Sequence, residues 1–217
     1  MNNRYRRLHL VVEGQSEEIV VTNVLSPYLQ AAGWTVSHSI VITKQPASGP
    51  ARRGGVSSWS KLENDIHKLL RSGFDLVTTL FDYYAFPADS PGMDTRPIGT
   101  PHERVAHVEQ ELAKAIGDPR FLPNLVLHEL ETWVFAAADQ LECLHPGVAE
   151  RLKHDVDLAG EPELVNDDPK TAPSKRLLAY EPRYSKTNDG PLAIADLGVE
   201  RLRAACRHLD EWLGKLQ

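Results

Sequence analysis

The sequence predicts an α/β fold in which a mainly parallel, four-stranded sheet is flanked by helices. Four runs of apolar or β-branched residues have the length of strands, and the first is apolar without interruption. Between these runs, apolar residues recur at the spacing of amphipathic helices. The resulting order βαβαβαβ favours parallel strands, because each crossover helix then packs on a face of the sheet.

The first strand and the first helix lie before Gly33. Leu8 to Val12 is an unbroken apolar run, typical of a strand covered on both faces, and Gly14 ends it. Ser16 is a plausible N-cap for the following helix, and the two glutamates after it suit the positive end of a helix dipole. The apolar residues of this helix, which Gly33 ends, are Val21, Val24, Leu25, Tyr28 and Leu29.

The second strand and helix are followed by the third strand. Trp34 to Thr43 is rich in β-branched residues and predicts a strand, and the Pro- and Gly-rich segment 44–57 predicts a loop. Leu76 to Phe81 predicts the third strand. The helix between these strands ends at Gly73 and has its apolar residues at Leu62, Ile66, Leu69 and Leu70.

A long loop at residues 83–101, with four prolines and two glycines, precedes the last helix and strand of this series. Loops of this length in compact domains are often functional. Phe121 to Leu127 predicts the fourth strand. The helix before it has its apolar residues at Val105, Val108, Leu112 and Ile116.

Beyond the fourth strand the sequence changes character. Glu129 to Ala138 has a helical pattern, and residues 157–190 are polar and predict irregular structure. A closing amphipathic helix has its apolar residues at Leu202, Cys206, Leu209, Leu213 and Leu216. We therefore expect an α/β core at residues 1–138 and a loop-and-helix extension at residues 139–217 that packs on the core.

Composition bounds the class of protein. The 217 residues are 41% hydrophobic and 25% charged, as in an ordinary globular protein. The net charge of −6 is unlike that of a dedicated non-specific nucleic-acid binder, although carboxylates that hold a metal ion add negative charge by design. The two cysteines fit a reducing compartment, and the first apolar run is too short for a signal peptide or a membrane span. We expect a cytoplasmic protein without a membrane partner.

Carboxylates follow three of the predicted strands. Glu13 follows the first strand, Asp82 follows the third, and Glu129 and Glu131 follow the fourth. The carboxyl ends of parallel strands meet at one edge of a sheet, where ligands bind in this class of fold. Carboxylates this close raise each other's pKa, and a hard cation such as Mg²⁺ relieves the repulsion. The alternative is that acidic residues only favour helix starts, which suits Glu17 but not Asp82, because a loop follows Asp82.

Several segments together resemble the bacterial family DUF4276. The segments are VVEGQSEE, LFDYYAFPADSPG, LHELETWVF, APSKR, YSKTNDGP and CRHLDEWLGKL, and they span nearly the whole chain. That family is similar to the TOPRIM fold of topoisomerases, primases and overcoming-lysogenization-defect nucleases. The resemblance implies a TOPRIM-like three-layer fold with a helical C-terminal extension.

The resemblance also implies a set of metal ligands. In the TOPRIM pattern a glutamate follows the first strand, and Glu13 matches it. An Asp-x-Asp motif follows the third strand, and Asp82 matches its first aspartate. Tyr84 stands in place of the second aspartate. Glu17 matches a further acidic position, and Glu131 resembles the acidic residue that precedes an aromatic run in the nuclease-like relatives.

Two of the possible ligands are alternatives to each other. On one helix, Glu129 and Glu131 would point about 200° apart, so only one faces the metal unless the helix begins between them. The resemblance favours Glu131. Asp94, in the long loop, is a candidate to replace the missing second aspartate.

Basic and aromatic residues complete the predicted site. Lys175, Arg176 and Lys186 lie in predicted polar loops, where they either stabilise transition-state charge or are solvated surface residues. His128 is either a general acid or base or a strand-end histidine satisfied by the backbone. Further candidates are Tyr83 and Tyr84 for packing or base stacking, and Arg52 and Arg53 for contact with a nucleic-acid backbone.

The leading functional hypothesis is a Mg²⁺- or Mn²⁺-dependent nuclease acting on DNA or RNA, with Lys175 and Lys186 as catalytic cations. The resemblance implies a role in defence against phage or mobile DNA beside a separately encoded ATPase, and a possible homodimer. The alternatives are another phosphoryl-transfer enzyme acting on nucleotides, and a non-catalytic subunit that binds nucleic acid or an ATPase. A zinc site at Cys143, His145, Cys206 and His208 is disfavoured by their spacing.

Overall fold

A parallel sheet forms the centre of the structure, a computed structural model that describes residues 6–44, 52–53, 58–84, 86–165 and 171–217. The strands are β1 (Arg6–Val12), β2 (Trp34–Ile40), β3 (Ile42–Lys44), β4 (Arg52–Arg53), β5 (Leu76–Asp82), β6 (Phe121–Leu122) and β7 (Leu125–Val126). The sheet has the order β2-β1-β5-β6, and β7 also pairs with β5. All of these pairings are parallel. The predicted α/β class and parallel sheet are confirmed.

Helices account for most of the remaining described chain. They are α1 (Gln15–Val20), α2 (Ser26–Ala31), α3 (Trp59–Arg71), α4 (Pro101–Ile116), α5 (Glu131–Ala136), α6 (Ala138–Glu142), α7 (Ala149–Ala159), α8 (Pro173–Tyr180), α9 (Asp189–Leu197), α10 (Val199–Ala205) and α11 (Arg207–Gly214). A π-helical turn, Val21–Leu25, joins α1 to α2, and a 3₁₀ turn, Pro162–Leu164, follows α7. None of the helices in the described ranges has both the length and the apolar character needed to cross a membrane.

The sheet separates two hydrophobic cores. Along β1, Leu10 and Val12 face one core and Val11 faces the other, because successive side chains of a strand point to opposite faces. The first core contains α1, α2 and the C-terminal helices, and the second contains α3 and α4. The chain therefore forms three layers, with helices on both faces of the sheet.

The predicted fourth strand is broken into β6 and β7. Pro123 lies between them and has no N–H to offer a neighbouring strand. The side chain of Thr79, on β5, fills this gap: its hydroxyl accepts a hydrogen bond from Asn124 N (2.9 Å) and donates to Asn124 O (2.8 Å). The prediction of one continuous strand at Phe121–Leu127 is wrong for this reason.

Other boundaries of helices and strands also differ from the prediction. Gly14, not Ser16, is the N-cap of α1, because the helix begins as soon as the strand has ended. The predicted strand Trp34–Thr43 divides into β2 and β3. Strand β3 pairs in antiparallel fashion with β4, which lies inside the predicted loop 44–57. Most of that loop, and the side chains of Arg52 and Arg53, lie outside what the structure describes.

The described parts of segment 157–190, residues 157–165 and 171–190, are largely helical, contrary to the prediction. They contain the end of α7, the 3₁₀ turn, α8 and the start of α9. Proline begins two of these elements, at Pro162 and Pro173, where its fixed φ suits a first turn. The predicted closing helix is likewise two helices, because Cys206 adopts an extended conformation between α10 and α11.

Candidate metal centre at the carboxyl edge of the sheet

The carboxyl ends of β1 and β5 hold the first two acidic residues. Glu13 directly follows β1, and Asp82 is the last residue of β5. These strands are neighbours in the sheet, and Glu13 N still donates to Leu80 O (3.3 Å) beyond the end of β1. The carboxylate of Glu13 then turns towards β5, where its Oε2 accepts a hydrogen bond from Asp82 N (3.0 Å).

The segment after β7 brings Glu129 and Glu131 to the same edge of the sheet. Leu130 N donates to Oδ1 of Asp82 (2.9 Å), which ties this segment to the end of β5. Helix α5 begins at Glu131, with Leu130 as its N-cap, so Glu129 precedes the helix. The helix thus begins between Glu129 and Glu131, and the expectation that they point to opposite sides of one helix does not apply.

Backbone and side-chain groups of the C-terminal half hold these two glutamates. Ser174 N, in the first turn of α8, donates to Oε2 of Glu129 (2.8 Å). Lys186, between α8 and α9, places Nζ 2.9 Å from Oε1 of Glu131. The APSKR and YSKTNDGP segments thereby meet the acidic edge through Ser174 and Lys186.

The two candidate lysines are in different environments. Lys186 is half-exposed and is the cation whose charge acts on Glu13 and Glu131. Lys175 is exposed in α8, and Arg176 in the same helix pairs with Asp155 (3.0 Å). The prediction that Lys175 and Arg176 lie in a loop is wrong, whereas Lys186 does lie between helices.

Burial and mutual repulsion raise the pKa values of the carboxyl groups. Burial raises the pKa of Glu17, in the first turn of α1, to about 7, and the charges of Glu13 and Glu131 act in the same direction. Burial also raises the pKa of Asp82 well above its ordinary value. The glutamates that raise it further are Glu13, Glu17, Glu131 and Glu129.

The pKa values of Glu13 and Glu131 are also raised, in both cases chiefly by burial. Lys186 opposes the shift in both. Burial lowers the pKa of Lys186 itself, but the carboxylates around it, Glu131 first among them, outweigh burial and raise it. One lysine thus faces a group of carboxylates that repel one another, so an additional cation would stabilise their ionised forms.

The donor chemistry of this cluster fits a hard divalent cation. Hydrogen bonds or ion pairs engage one oxygen of each carboxylate: Glu13 Oε2, Asp82 Oδ1, Glu129 Oε2 and Glu131 Oε1. Among the described residues, one group of three has ligand atoms that all lie within 4.8 Å of one another. That group lies elsewhere, at His102, Glu161 and Glu163. Since the described residues of the sheet edge have no three ligand atoms this close, a cation bound there would keep several water ligands, as Mg²⁺ does.

Tyr84 stands where the TOPRIM pattern has a second aspartate. Tyr84, at that position, uses its backbone N–H to donate to His128 O (2.9 Å). Asp94 is exposed in the loop before α4. Tyr83 is buried in the second core, and its hydroxyl accepts a hydrogen bond from Arg96 (3.1 Å), so Tyr83 packs rather than stacks on a substrate.

His128 forms the corner between β7 and the acidic segment. It has a positive φ of 63°, which is uncommon for a residue with a side chain, and only 1% of its surface is exposed. The residue is not isolated, because it takes part in an interaction within the protein. These features suit a structural corner that directs Glu129 and Glu131 towards the sheet edge.

Tyr184 lies beside the cluster and was not singled out from the sequence. It is 6% exposed, and burial, followed by the charge of Glu131, raises its pKa above the ordinary value. Its hydroxyl also occupies the space that a Cβ at Gly190 would need. The only signal in the sequence is its position two residues before Lys186 in the YSKTNDGP segment.

A family model described as a domain of unknown function, DUF4276, matches residues 12–217. The chain belongs to the DUF4276 family. A search of curated proteins finds no match.

Two solved structures resemble this DUF4276 protein. The C-terminal region of the Burkholderia pseudomallei OLD protein has a TM-score of 0.43 and 17% identity, covering 98% of this chain and 100% of that chain. The C-terminal region of the Xanthomonas campestris pv. campestris OLD protein has a TM-score of 0.40 and 18% identity, covering 99% and 100%. At TM-scores below 0.5, neither likeness bears on function.

Proposed function

We propose that this DUF4276 protein is a TOPRIM-type nuclease that hydrolyses phosphodiester bonds with Mg²⁺ or Mn²⁺ at the carboxyl edge of the sheet. The observation that carries the proposal is the linked pair of Glu13 and Asp82, which joins the ends of two parallel strands. The TOPRIM pattern requires carboxylates at these two positions, and strand pairing brings them together. The pair lies beside the ion pair of Glu131 with Lys186.

The residues that would hold the cation are Glu13, Asp82 and Glu131, with Glu17 and Glu129 as further donors. A bound cation supplies polarisation of the phosphate and a water of lowered pKa near neutrality. The hydrogen bonds from Asp82 N and Leu130 N fix the orientations of two of the carboxylates. Fixed ligands lower the cost of ordering the site when substrate arrives.

Lys186 is the residue proposed to contact the substrate phosphate. Its side chain is half-exposed, so an incoming anion can approach Lys186 while it remains beside Glu131. A cation at that position would stabilise the negative charge that develops on the phosphate oxygens. Lys175, exposed on α8, could contribute at most to the approach of the polymer.

The biological setting is proposed on the sequence resemblance alone. We place the protein in the cytoplasm, in defence against phage or mobile DNA, acting with a separately encoded ATPase. A homodimer would be consistent with that setting.

The test is cleavage by the purified full chain. We expect nicking of supercoiled DNA or cutting of RNA with Mg²⁺ or Mn²⁺, and no cutting with a chelator. Asp82→Asn and Glu13→Gln should each reduce the rate by at least roughly 100-fold, because each removes a charge that holds the cation. Asp196→Asn, at an exposed position of α9, is the matched control and should cut like the wild type.

The other outcomes decide between the alternatives. Cleavage retained in both Asp82→Asn and Glu13→Gln would refute the site. Phosphate release from free nucleotides without polymer cleavage would identify a nucleotide-directed enzyme instead. An absence of turnover under all these conditions, together with binding to nucleic acid or an ATPase, would identify a non-catalytic subunit.

A further inference from the structure

We propose that His102, Glu161 and Glu163 form a second divalent metal site, separate from the sheet edge and of the kind that binds Zn²⁺. It lies where three parts of the chain meet: the first turn of α4, the turn after α7 and the first turn of α11. One ligand atom from each residue lies within 4.8 Å of the other two. This proposal does not depend on the proposed nuclease activity.

One imidazole nitrogen of His102 lies close to both carboxylates. This atom, Nε2, lies 3.1 Å from Glu161 Oε1 and 3.9 Å from Glu163 Oε2. This nitrogen is buried, yet within the described chain it makes no hydrogen bond of acceptable geometry. A buried nitrogen directed at two carboxylate oxygens, without a hydrogen bond to either, is the arrangement expected around a shared cation.

Glu163 is held in place by the helix that it caps. It is 1% exposed, its Oε2 accepts from His208 N (2.6 Å), and its Oε1 accepts from Leu209 N (3.2 Å). Each carboxylate oxygen has two lone pairs, so these bonds leave one on each oxygen for a cation. Partners that fix the orientation of a ligand in this way are a regular feature of metal sites.

The contacts around the capped end of α11 continue to the central sheet. His208 Nε2 lies 2.9 Å from Glu109 Oε1, and the same oxygen accepts a hydrogen bond from Leu125 N (2.8 Å) at the start of β7. The capped end of α11 is therefore connected through α4 to a strand of the sheet. A metal ion bound above it would join the C-terminal helix to the α/β layers.

A cleft of about 400 Å³ gives access to the site. His102, Glu161 and Arg207 are among the residues that line it. The guanidinium of Arg207 pairs with Glu211 (2.8 Å), which offsets its repulsion of a cation. Glu161 is partly exposed towards the cleft, so water could fill a remaining coordination position.

The ligand set selects the class of metal. One imidazole nitrogen and two carboxylate oxygens suit Zn²⁺ and other first-row transition ions, whereas Mg²⁺ prefers oxygen ligands alone. The two carboxylates also neutralise the charge of a divalent ion. Because His102 is far in sequence from Glu161 and Glu163, the ion would stabilise the folded state more than the unfolded one.

The test is titration of the chelator-treated, untagged full chain with zinc chloride in excess Mg²⁺, followed by calorimetry and thermal unfolding. We expect one zinc equivalent and a higher Tm in the wild type. His102→Ala and Glu161→Gln should weaken zinc binding by at least roughly 10- to 100-fold and abolish the rise in Tm. Their matched controls are His154→Ala and Glu150→Gln, which change exposed residues of α7.

Asp82→Asn separates this site from the sheet edge and should bind zinc like the wild type. Glu161→Gln keeps the test decisive if His102→Ala fails to fold, because Glu161 is the most exposed of the three ligands. Equal zinc affinity in Glu161→Gln and the wild type would refute the site. Loss of zinc binding in Asp82→Asn alone, or no zinc uptake by the wild type, would also refute it.

Discussion

The hydrogen bond from Asp82 N to the Glu13 carboxylate makes these residues structural as well as chemical neighbours. Removing the acceptor would leave a partly buried N–H unsatisfied, at a cost of about 1–3 kcal/mol. Glu13→Gln keeps an oxygen at this position while removing the charge. A loss of cleavage in this variant with an unchanged Tm would therefore reflect metal binding and chemistry rather than folding.

In the proposed site, Lys186 and a bound cation would compete for the same carboxylates. Lys186→Ala should reduce the cleavage rate by roughly 100-fold or more, because a cation that faces the phosphate is lost. The same variant should bind Mn²⁺ at least as tightly as the wild type, because the charge that neutralises Glu131 is gone. Cleavage kinetics and calorimetry with Mn²⁺ measure the two effects.

These opposite effects distinguish a catalytic lysine from a structural one. Lys61→Ala, on the exposed face of α3, is the control and should change neither quantity. Weaker Mn²⁺ binding in Lys186→Ala would show that the lysine organises the carboxylates instead of competing with the metal. Cleavage at the wild-type rate would remove Lys186 from the proposed mechanism.

The sequence alone cannot separate Lys186 from Lys175, because both lie in polar segments with turn-forming neighbours. The difference depends on a contact between residues far apart in the chain, that of Lys186 with Glu131. The same limit applies to His102 and Glu163, whose neighbours in sequence carry no sign of a shared site. The closeness of Glu13 and Asp82 could be predicted because each lies at the carboxyl end of a strand, and these strand ends meet by topology.

At the scale of elements, β1 carries a buried histidine whose ring contacts side chains of β2. His9 is 6% exposed, and its two ring nitrogens lie 2.8 Å from the Ser37 hydroxyl and 2.9 Å from the Ser39 hydroxyl. Burial, assisted by the charge of His38, lowers the pKa of His9 to about 4. The folded chain therefore holds His9 neutral at pH values where the unfolded chain protonates it.

The sign of the resulting pH dependence follows from this difference. Between about pH 6.5 and pH 4 the unfolded state binds more protons, so stability falls as the pH falls through this window. The full contribution, present above pH 6.5, is on the order of 3 kcal/mol. His9→Gln keeps a hydrogen-bonding group but does not titrate, so its Tm should fall less than that of the wild type between pH 7 and pH 5.

Comparing how steeply Tm changes with pH in the two proteins separates His9 from the carboxylates of the sheet edge. The raised pKa values of those carboxylates change stability in the opposite direction as the pH falls. His154→Gln, at an exposed position of α7, should retain the wild-type slope. If the Tm of His9→Gln fell with acidification as steeply as that of the wild type, the buried histidine would not be the source of the dependence.

Strands and long helices were predictable because their patterns are local. Leu8 to Val12 is apolar throughout, and α4 shows its spacing over sixteen residues. Helix α8 has eight residues and begins with a proline, so its sequence has the composition of a loop. It is held by the core around Leu177 and by contact with Glu129, neither of which is visible in its own sequence.

At the scale of the whole molecule, the C-terminal helices cover one face of the sheet. Residues from β1, from α1 and α2 and from the last helices share one hydrophobic core. Trp212 on α11 donates from Nε1 to the Thr78 hydroxyl on β5 (3.0 Å), and Trp34 on β2 donates to Leu216 O (2.6 Å). The acidic edge also depends on this half of the chain, through Ser174 and Lys186.

We therefore expect the chain to unfold as one cooperative unit. A fragment of residues 1–138 would expose the apolar face formed by Leu10, Val12 and Leu80, and should show no cooperative transition. Trp212→Phe should lower the stability of the full chain by about 1–3 kcal/mol, because it removes a buried hydrogen bond and part of a ring. Circular dichroism and tryptophan fluorescence should report the same, lowered transition.

Two transitions would contradict this expectation, most clearly if Trp212→Phe shifted only one of them. In that case the α/β layers would form an independent domain, and the 1–138 fragment should fold by itself. It would then retain Glu13 and Asp82 but lose Lys186 and the Ser174 contact to Glu129. A fragment that folds and still cuts nucleic acid would show that the C-terminal half contributes stability alone, whereas a single transition would show that the two halves fold as one unit.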